Sequence, residues 1–206
     1  MPRIYTKKGD KGTTSLYNSV EKRLNKSHTI FDVLGDLDEL SSYVGTICAF
    51  LEEDKKMDDG DLVGPYILKD PNYKRKIKYL RKIQNYLLDI GSSVATTIKR
   101  DYVKEITDED IKELEEEIKY YGGDDLKLKE FILPCVGKSD SFMQIARSVC
   151  RRCERNLWKL KEEFEELALE DKAYIFLNRL SSFFFILAGY STNWSEITRS
   201  QANNMQ

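Results

Sequence analysis

The sequence predicts an all-α protein, a five-helix bundle, and three observations carry that expectation. Apolar residues recur at spacings of three and four through five separate stretches, the pattern of helices that bury one face. Strand-type alternation is scarce, and a turn-rich segment with two of the four prolines, 53–72, separates the first two stretches. A length of 206 residues, 41% apolar and 33% charged, suits one domain spanning 1–206 with a sizeable core.

The elements follow in order. Residues 4–18, IYTKKGDKGTTSLYN, are rich in glycine, threonine and lysine and read as a loop, touching at most a short strand. Val33, Leu37, Leu40, Val44, Ile47 and Leu51 then mark a helix over 29–52. The connection 53–72 is long for a compact domain. Ile77, Leu80, Leu87, Val94 and Ile98 place a second helix over 73–100. Thr107-x-x-Asp110 resembles a capping box and opens a short third helix through Ile111, Leu114, Ile118 and Tyr121, which Gly122-Gly123 stops. A fourth helix is expected over 139–168 and a fifth over 171–191, followed by a polar, frayed tail at 192–206.

Two helices carry more than one core stripe. At about 100° per residue, Phe142, Ile145, Val149, Cys153, Leu160 and Phe164 form the expected buried side of helix four. Arg147, Arg151 and Glu154 fall within about 60° of one another opposite that side, flanked by Arg152 and Arg155. Such a cluster is either a solvated face balanced by Glu154 or an anion site, since guanidinium forks match phosphate oxygens. Helix five has an apolar stripe of Phe176, Leu180, Phe183, Phe184 and Leu187, with Ile175 and Phe185 on its other side among Asn178 and Ser182. A helix apolar on both faces is buried on both, which in a small bundle implies a subunit partner. Asn178 would lie at that interface, as a satisfied structural amide or as a ligand contact.

Composition removes several function classes. A net charge of −2 provides no basic field for nucleic acid, and no apolar run reaches the 18–20 residues of a membrane span. The start Met1-Pro2-Arg3-Ile4 lacks the apolar core of a secretion signal. A processed precursor would look the same, so the start says little about compartment; the expected location is cytoplasmic, or the mitochondrial matrix if a presequence has been removed from a eukaryotic precursor. Four cysteines (Cys48, Cys135, Cys150, Cys153) are too few for a disulfide framework, and the single histidine, His28, argues against a zinc site.

The N-terminal run Thr6-Lys7-Lys8-Gly9-Asp10-Lys11-Gly12-Thr13-Thr14-Ser15 could be a plain polar turn. It also has what a polyphosphate needs: glycines for close backbone approach, hydroxyls and amides as donors, and lysine charge. The whole pattern is more specific than its parts. IYTKKGDKGTTSL at 4–16, GDLDELSSYVG at 35–45, FILP at 131–134, ARSVCRRCER at 146–155 and FLNRLSSFFFILA at 176–188 occur in order along nearly the whole chain. Together they resemble the signature segments of the PduO-type ATP:cob(I)alamin adenosyltransferases.

That resemblance implies a homotrimer that binds ATP between subunits, with Mg²⁺ on the phosphates, and transfers the 5′-deoxyadenosyl group to cobalamin with release of triphosphate. It implies an ATP-binding loop within 1–26, where Thr6, Lys7, Lys8, Gly9, Thr14 and Ser15 wrap the triphosphate and Lys26 reaches the nucleotide. Arg151, Arg152, Glu154 and Arg155 would belong to the nucleotide-binding helix, and Asn178 would touch sugar or base. Arg147 would pair across the interface with Asp38, and Phe131 would fill the space below the corrin and exclude its lower axial base. A cob(II)alamin reductase and a B12-dependent client enzyme are implied as partners. The sequence departs from the family pattern at Cys135-Val136, at Ser182 and in the long 53–72 connection. Two other readings remain at this point: a catalytically silent bundle that carries nucleotide or cobalamin, and a purely structural helical oligomer.

Overall fold

The structure, a computed structural model, describes residues 5, 7–16, 23–56, 72–96, 104–124, 132–133, 137–164, 169–191 and 197–198. Five helices dominate it: α1 (Thr29–Lys56), α2 (Tyr73–Ala95), α3 (Asp108–Tyr120), α4 (Lys138–Glu163) and α5 (Asp171–Ser191). Two minimal antiparallel strand pairs accompany them among the described residues, β1 (Thr13–Thr14) with β2 (Leu24–Asn25), and β3 (Ile132–Leu133) with β4 (Ile197–Thr198). Helix α1 packs against α2 and α4, α4 also packs on α5, and α3 covers α5 from another side.

Each helix exists for a local reason. The first stripe is buried as expected, with Val33, Leu37, Leu40, Val44, Ile47 and Leu51 all in the core. Helix α1 runs on to Lys56, four residues past the expected end, so the connection after it is shorter at that side. Helix α2 stops at Ala95 rather than 100, because Thr96 turns extended and closes the end on itself. Its amide donates to the Ser93 carbonyl and its hydroxyl to the Ser92 carbonyl at 2.6 Å; Ile98 lies outside the described residues. Helix α3 opens on a complete capping box, in which the Asp110 amide donates to Thr107 Oγ1 at 3.2 Å and the Thr107 amide to Asp110 Oδ2 at 3.0 Å.

Helix α4 corrects the expected stripe. Ile145 is 40% exposed and Phe164 41%, and Phe142 is only partly buried. The buried line is instead Met143, Ala146, Cys150, Cys153, Leu157 and Leu160, with Val149 beside it. Ala146 and Cys150 are small, and a stripe chosen on the bulkiest side chains passes over them. Their size lets α4 approach α5, where the Cys150 thiol donates to the Leu177 carbonyl at 3.2 Å. The helix ends at Glu163, and of the expected 164–168 extension Phe164 is extended and the rest lies outside the described residues.

Helix α5 has the expected bounds, and Phe176, Leu180, Phe183, Phe184 and Leu187 are fully buried. At its C-terminal end the buried Lys76 of α2 donates to Ser191 Oγ at 2.7 Å and lies over the Tyr190 ring at 4.8 Å. A cation there is favourable because the last carbonyls of a helix carry partial negative charge. The tail departs from the frayed expectation in one place: Ile197 and Thr198, both β-branched, pair antiparallel with Leu133 and Ile132. Among the described cysteines, Cys48, Cys150 and Cys153 are free and buried. Burial pushes all three thiols up, so none is a ready nucleophile.

Candidate active site

The N-terminal loop is a hairpin that gathers cations. Thr13 pairs with Asn25 and Thr14 with Leu24, and the Lys26 amide donates to the Gly12 carbonyl at 2.9 Å. Gly12 sits at φ +75°, in the left-handed region where a side chain would be strained. A Cβ on Gly9 would lie 3.2 Å from Lys26 Nζ, so the absence of a side chain there lets that ammonium cross the loop. Lys26, distant in sequence from the neighbouring Lys7 and Lys8, is thereby brought to the loop that carries them, with half-buried Thr14 on β1 and the exposed Ser15 directly after it. Thr6 lies outside the described residues.

Arg23 is a residue that sequence reasoning missed. Its Nη2 donates to the Lys8 carbonyl at 2.5 Å and the Thr13 carbonyl at 2.7 Å, and its Nε donates to Thr13 Oγ1 at 3.1 Å. It staples the loop closed by satisfying carbonyls that would otherwise face water. The only signal for it was a position one residue before a strand whose pairing was not visible in advance. Below the hairpin, Leu16 enters the core and the His28 ring meets Phe164 edge-on at 5.0 Å. The loop is thus anchored near the C-terminal end of α4.

A second set lies along the outer groove of α4 and α5. Arg147, Arg151, Glu154 and Trp158 follow one another at helical spacing on α4, as do Ile175, Asn178, Ser182 and Phe185 on α5. The antiparallel helices bring them level. Asn178 Nδ2 donates to Glu154 Oε1 at 2.9 Å, and the Arg147 guanidinium lies 5.8 Å from the Phe185 ring centre. Asn178 Oδ1 accepts from Arg179 at 3.0 Å, and Arg179 is held by Glu115 of α3 at 3.0 Å. This chain of contacts fixes the amide orientation and leaves its second N–H able to donate outward. Arg151 and Arg155 are exposed on the same side.

Arg152 is tied to α1 within the same chain. Its Nε donates to Asp36 Oδ1 at 2.7 Å and its Nη2 to Glu39, while Asn156 Nδ2 donates to Asp36 Oδ2 at 2.7 Å. The hydrogen bond to Asp36 raises the guanidinium pKa further. Asp36 is buried, so this pair ties α1 to α4 on a flank away from Arg151. Asp38 lies exposed on α1, while Arg147 donates to Gln144 Oε1 at 2.9 Å within its own helix. Phe131 and Cys135-Val136 fall outside the described residues; the strand β3 begins directly after Phe131.

The whole chain can be compared with known proteins. A family model described as cobalamin adenosyltransferase matches residues 4–191. The corrinoid adenosyltransferase MMAB of Bos taurus is 36% identical over 196 residues, 93% of this chain and 72% of that protein. The corrinoid adenosyltransferase of Bacillus subtilis is 35% identical over 189 residues, covering 90% of this chain and 84% of its own. A phenylalanine-to-histidine variant of the PduO-type ATP:corrinoid adenosyltransferase from Lactobacillus reuteri, complexed with cobalamin and ATP, superposes with a TM-score of 0.74. That pair is 28% identical and covers 95% of this chain and 96% of the other. An arginine-to-lysine variant of the same enzyme, complexed with ATP, gives a TM-score of 0.72 at 29% identity, covering 95% and 99%. A match across nearly the full length, in both sequence and backbone, leaves one assignment: the chain belongs to the cobalamin adenosyltransferase family.

Proposed function

We propose that this protein transfers the 5′-deoxyadenosyl group of ATP to cob(I)alamin, forming adenosylcobalamin and releasing triphosphate. The observation that supports it most is the pairing of a lysine-rich glycine hairpin with an exposed arginine stripe beside a fixed Asn178–Glu154 pair. Such a set matches a polyphosphate joined to a sugar. In the reaction, an electron pair on Co(I) attacks C5′, the Co–C bond forms, and the C5′–O bond breaks with its pair leaving on the triphosphate. No side-chain nucleophile is required, which suits a chain whose described cysteines are buried.

The protein's work is to bind, orient and stabilise charge. Lys7, Lys8 and Lys26, with the amides around Gly9 and the hydroxyls of Thr6, Thr14 and Ser15, would hold the triphosphate. Arg151 and Arg155 would meet the charge that grows on the departing oxygen. Mg²⁺ would ride on the phosphate oxygens, keep several of its waters, and neutralise part of the leaving group's charge. Phe131 would exclude the lower axial base of the corrinoid, which makes the cobalt easier to reduce.

The hairpin and the arginines fit two halves of sites in different subunits. The hairpin is anchored at Phe164, thirteen residues beyond Arg151, about 20 Å along a helix axis. A homotrimer in which one subunit's hairpin closes over its neighbour's α4–α5 groove would join them, and it would cover the exposed Ile175. Arg147 would then reach an acid of the neighbour's α1, with Asp38 the exposed candidate. Supply of cob(I)alamin by a reductase and delivery to a B12-dependent enzyme complete this reading. Anaerobic incubation with chemically reduced cobalamin and MgATP tests it, read as adenosylcobalamin absorbance and free triphosphate. Formation of both in equal amounts is expected, and persistence of cob(I)alamin beside intact ATP would overturn it.

A further inference from the structure

We infer that Trp158 is the platform on which the purine ring of ATP stacks, an inference that rests on the adenosyl-transfer reading above. Trp158 stands on the outer side of α4 and is 45% exposed. It is held in place: its indole lies 4.5 Å from the Tyr174 ring, tilted by 41°, and Lys161 Nζ sits 5.1 Å from its centre. Lys161 is in turn fixed by an ion pair with Asp171 and lies 4.9 Å from the Tyr174 ring centre. A rigid ring with an open side is what base stacking requires.

Its position specifies the ligand. Trp158 stands one turn beyond Glu154 on the stripe that also carries Arg151, and the Glu154–Asn178 hydrogen bond lies between the two. Arg151 and Trp158 are seven residues apart, about 10 Å along the axis. On that stripe Arg147 and Arg151, then Glu154 with Asn178, then Trp158 occur in the order of phosphate, sugar and base in a nucleotide, with Arg155 beside the stripe. The exposed Ile175 lies at the level of Trp158 on α5 and supplies an apolar wall beside it. Stacking is tolerant of base identity, so this platform strengthens binding of purine nucleotides as a class.

Calorimetric affinities for MgATP and for magnesium tripolyphosphate, measured on wild type, Trp158→Ala and Trp158→Phe, test the inference. Loss of the ring should weaken ATP binding about ten- to hundredfold while tripolyphosphate binding stays within about twofold, and Trp158→Phe should keep most of the ATP affinity. Equal losses for both ligands, or a change of oligomeric state in Trp158→Ala, would mean that Trp158 packs against a second copy, and the platform would be overturned. No loss for either ligand would overturn it as well. Wild-type protein that binds neither ligand would instead refute the adenosyl-transfer reading itself.

Discussion

Arg151 and Arg152 are adjacent in sequence and serve opposite ends, because successive helical residues diverge by about 100°. Arg152 turns inward to the buried Asp36, and Arg151 faces the groove. Replacing Arg152 by alanine strands a buried carboxylate on Asn156 alone. The arginine side chain is 42% exposed, which screens the pair, so the loss should be about 1–2 kcal/mol, or roughly 2–8 °C in melting temperature. A scan without ligand checks this, and an unchanged midpoint would return Arg152 to the nucleotide set. Arg151→Lys should leave the melting temperature alone but lower turnover at least about tenfold, since an ammonium lacks the planar fork. Turnover within about twofold of wild type would place Arg151 on a merely solvated face. The arginine cluster was legible in the sequence, but which arginine faced α1 was not. That depends on which acid of α1 is buried, a tertiary fact. Arg23 was illegible for a similar reason, since its role exists only once β1 and β2 pair.

At the scale of elements, α3 was readable almost to the residue because its signals are local. The Thr107–Asp110 box needs four consecutive residues and no partner. Asp110 also accepts from the Tyr86 hydroxyl at 2.6 Å, which joins α3 to α2, while burial and that bond push the Tyr86 pKa up to about 12. Burial alone would raise the Asp110 pKa, but hydrogen bonds from Tyr86 and Thr107 outweigh it and hold it below the ordinary 3.8. A carboxyl that is more acidic folded than unfolded adds stability above its unfolded value and loses that contribution as pH falls through the folded one. Asp110→Asn should therefore be about 1 kcal/mol less stable at neutral pH, with the gap closing below about pH 4. Denaturant titrations at the two pH values decide it, and a gap of constant size would show that the charge is irrelevant. Helix α4 was less legible, since its contact with α5 is made by Ala146 and Cys150, and hydrophobic bulk drew the stripe toward Ile145. The β3–β4 pair was not foreseen at all, because two-residue strands far apart in sequence leave no periodic trace.

For the whole molecule, the two-faced fifth helix is the feature that connects sequence to assembly. One face of α5 fills the core, and the other leaves Ile175 43% exposed beside Asn178. Within one chain an acidic residue at 175 costs little, because the position already meets water. In the proposed trimer it would bury an unpaired charge, a penalty of several kcal/mol per site. Ile175→Asp should keep the helical content of wild type and sediment as a monomer at micromolar concentration. A variant that remains trimeric would remove Ile175 from the interface, and a monomeric wild type would remove the shared site.

The central claim is the transfer itself, and single-turnover chemistry with doubly labelled ATP tests it most directly. Adenosine label and γ-phosphate label enter together with excess enzyme, Mg²⁺ and cob(I)alamin under strict exclusion of oxygen. The account predicts that the adenosine label moves to the corrinoid as a light-sensitive Co–C species, while the phosphate label appears in intact triphosphate in equal amount. Phosphate label emerging as orthophosphate, with adenosine left on a diphosphate and the corrinoid unlabelled, would contradict it.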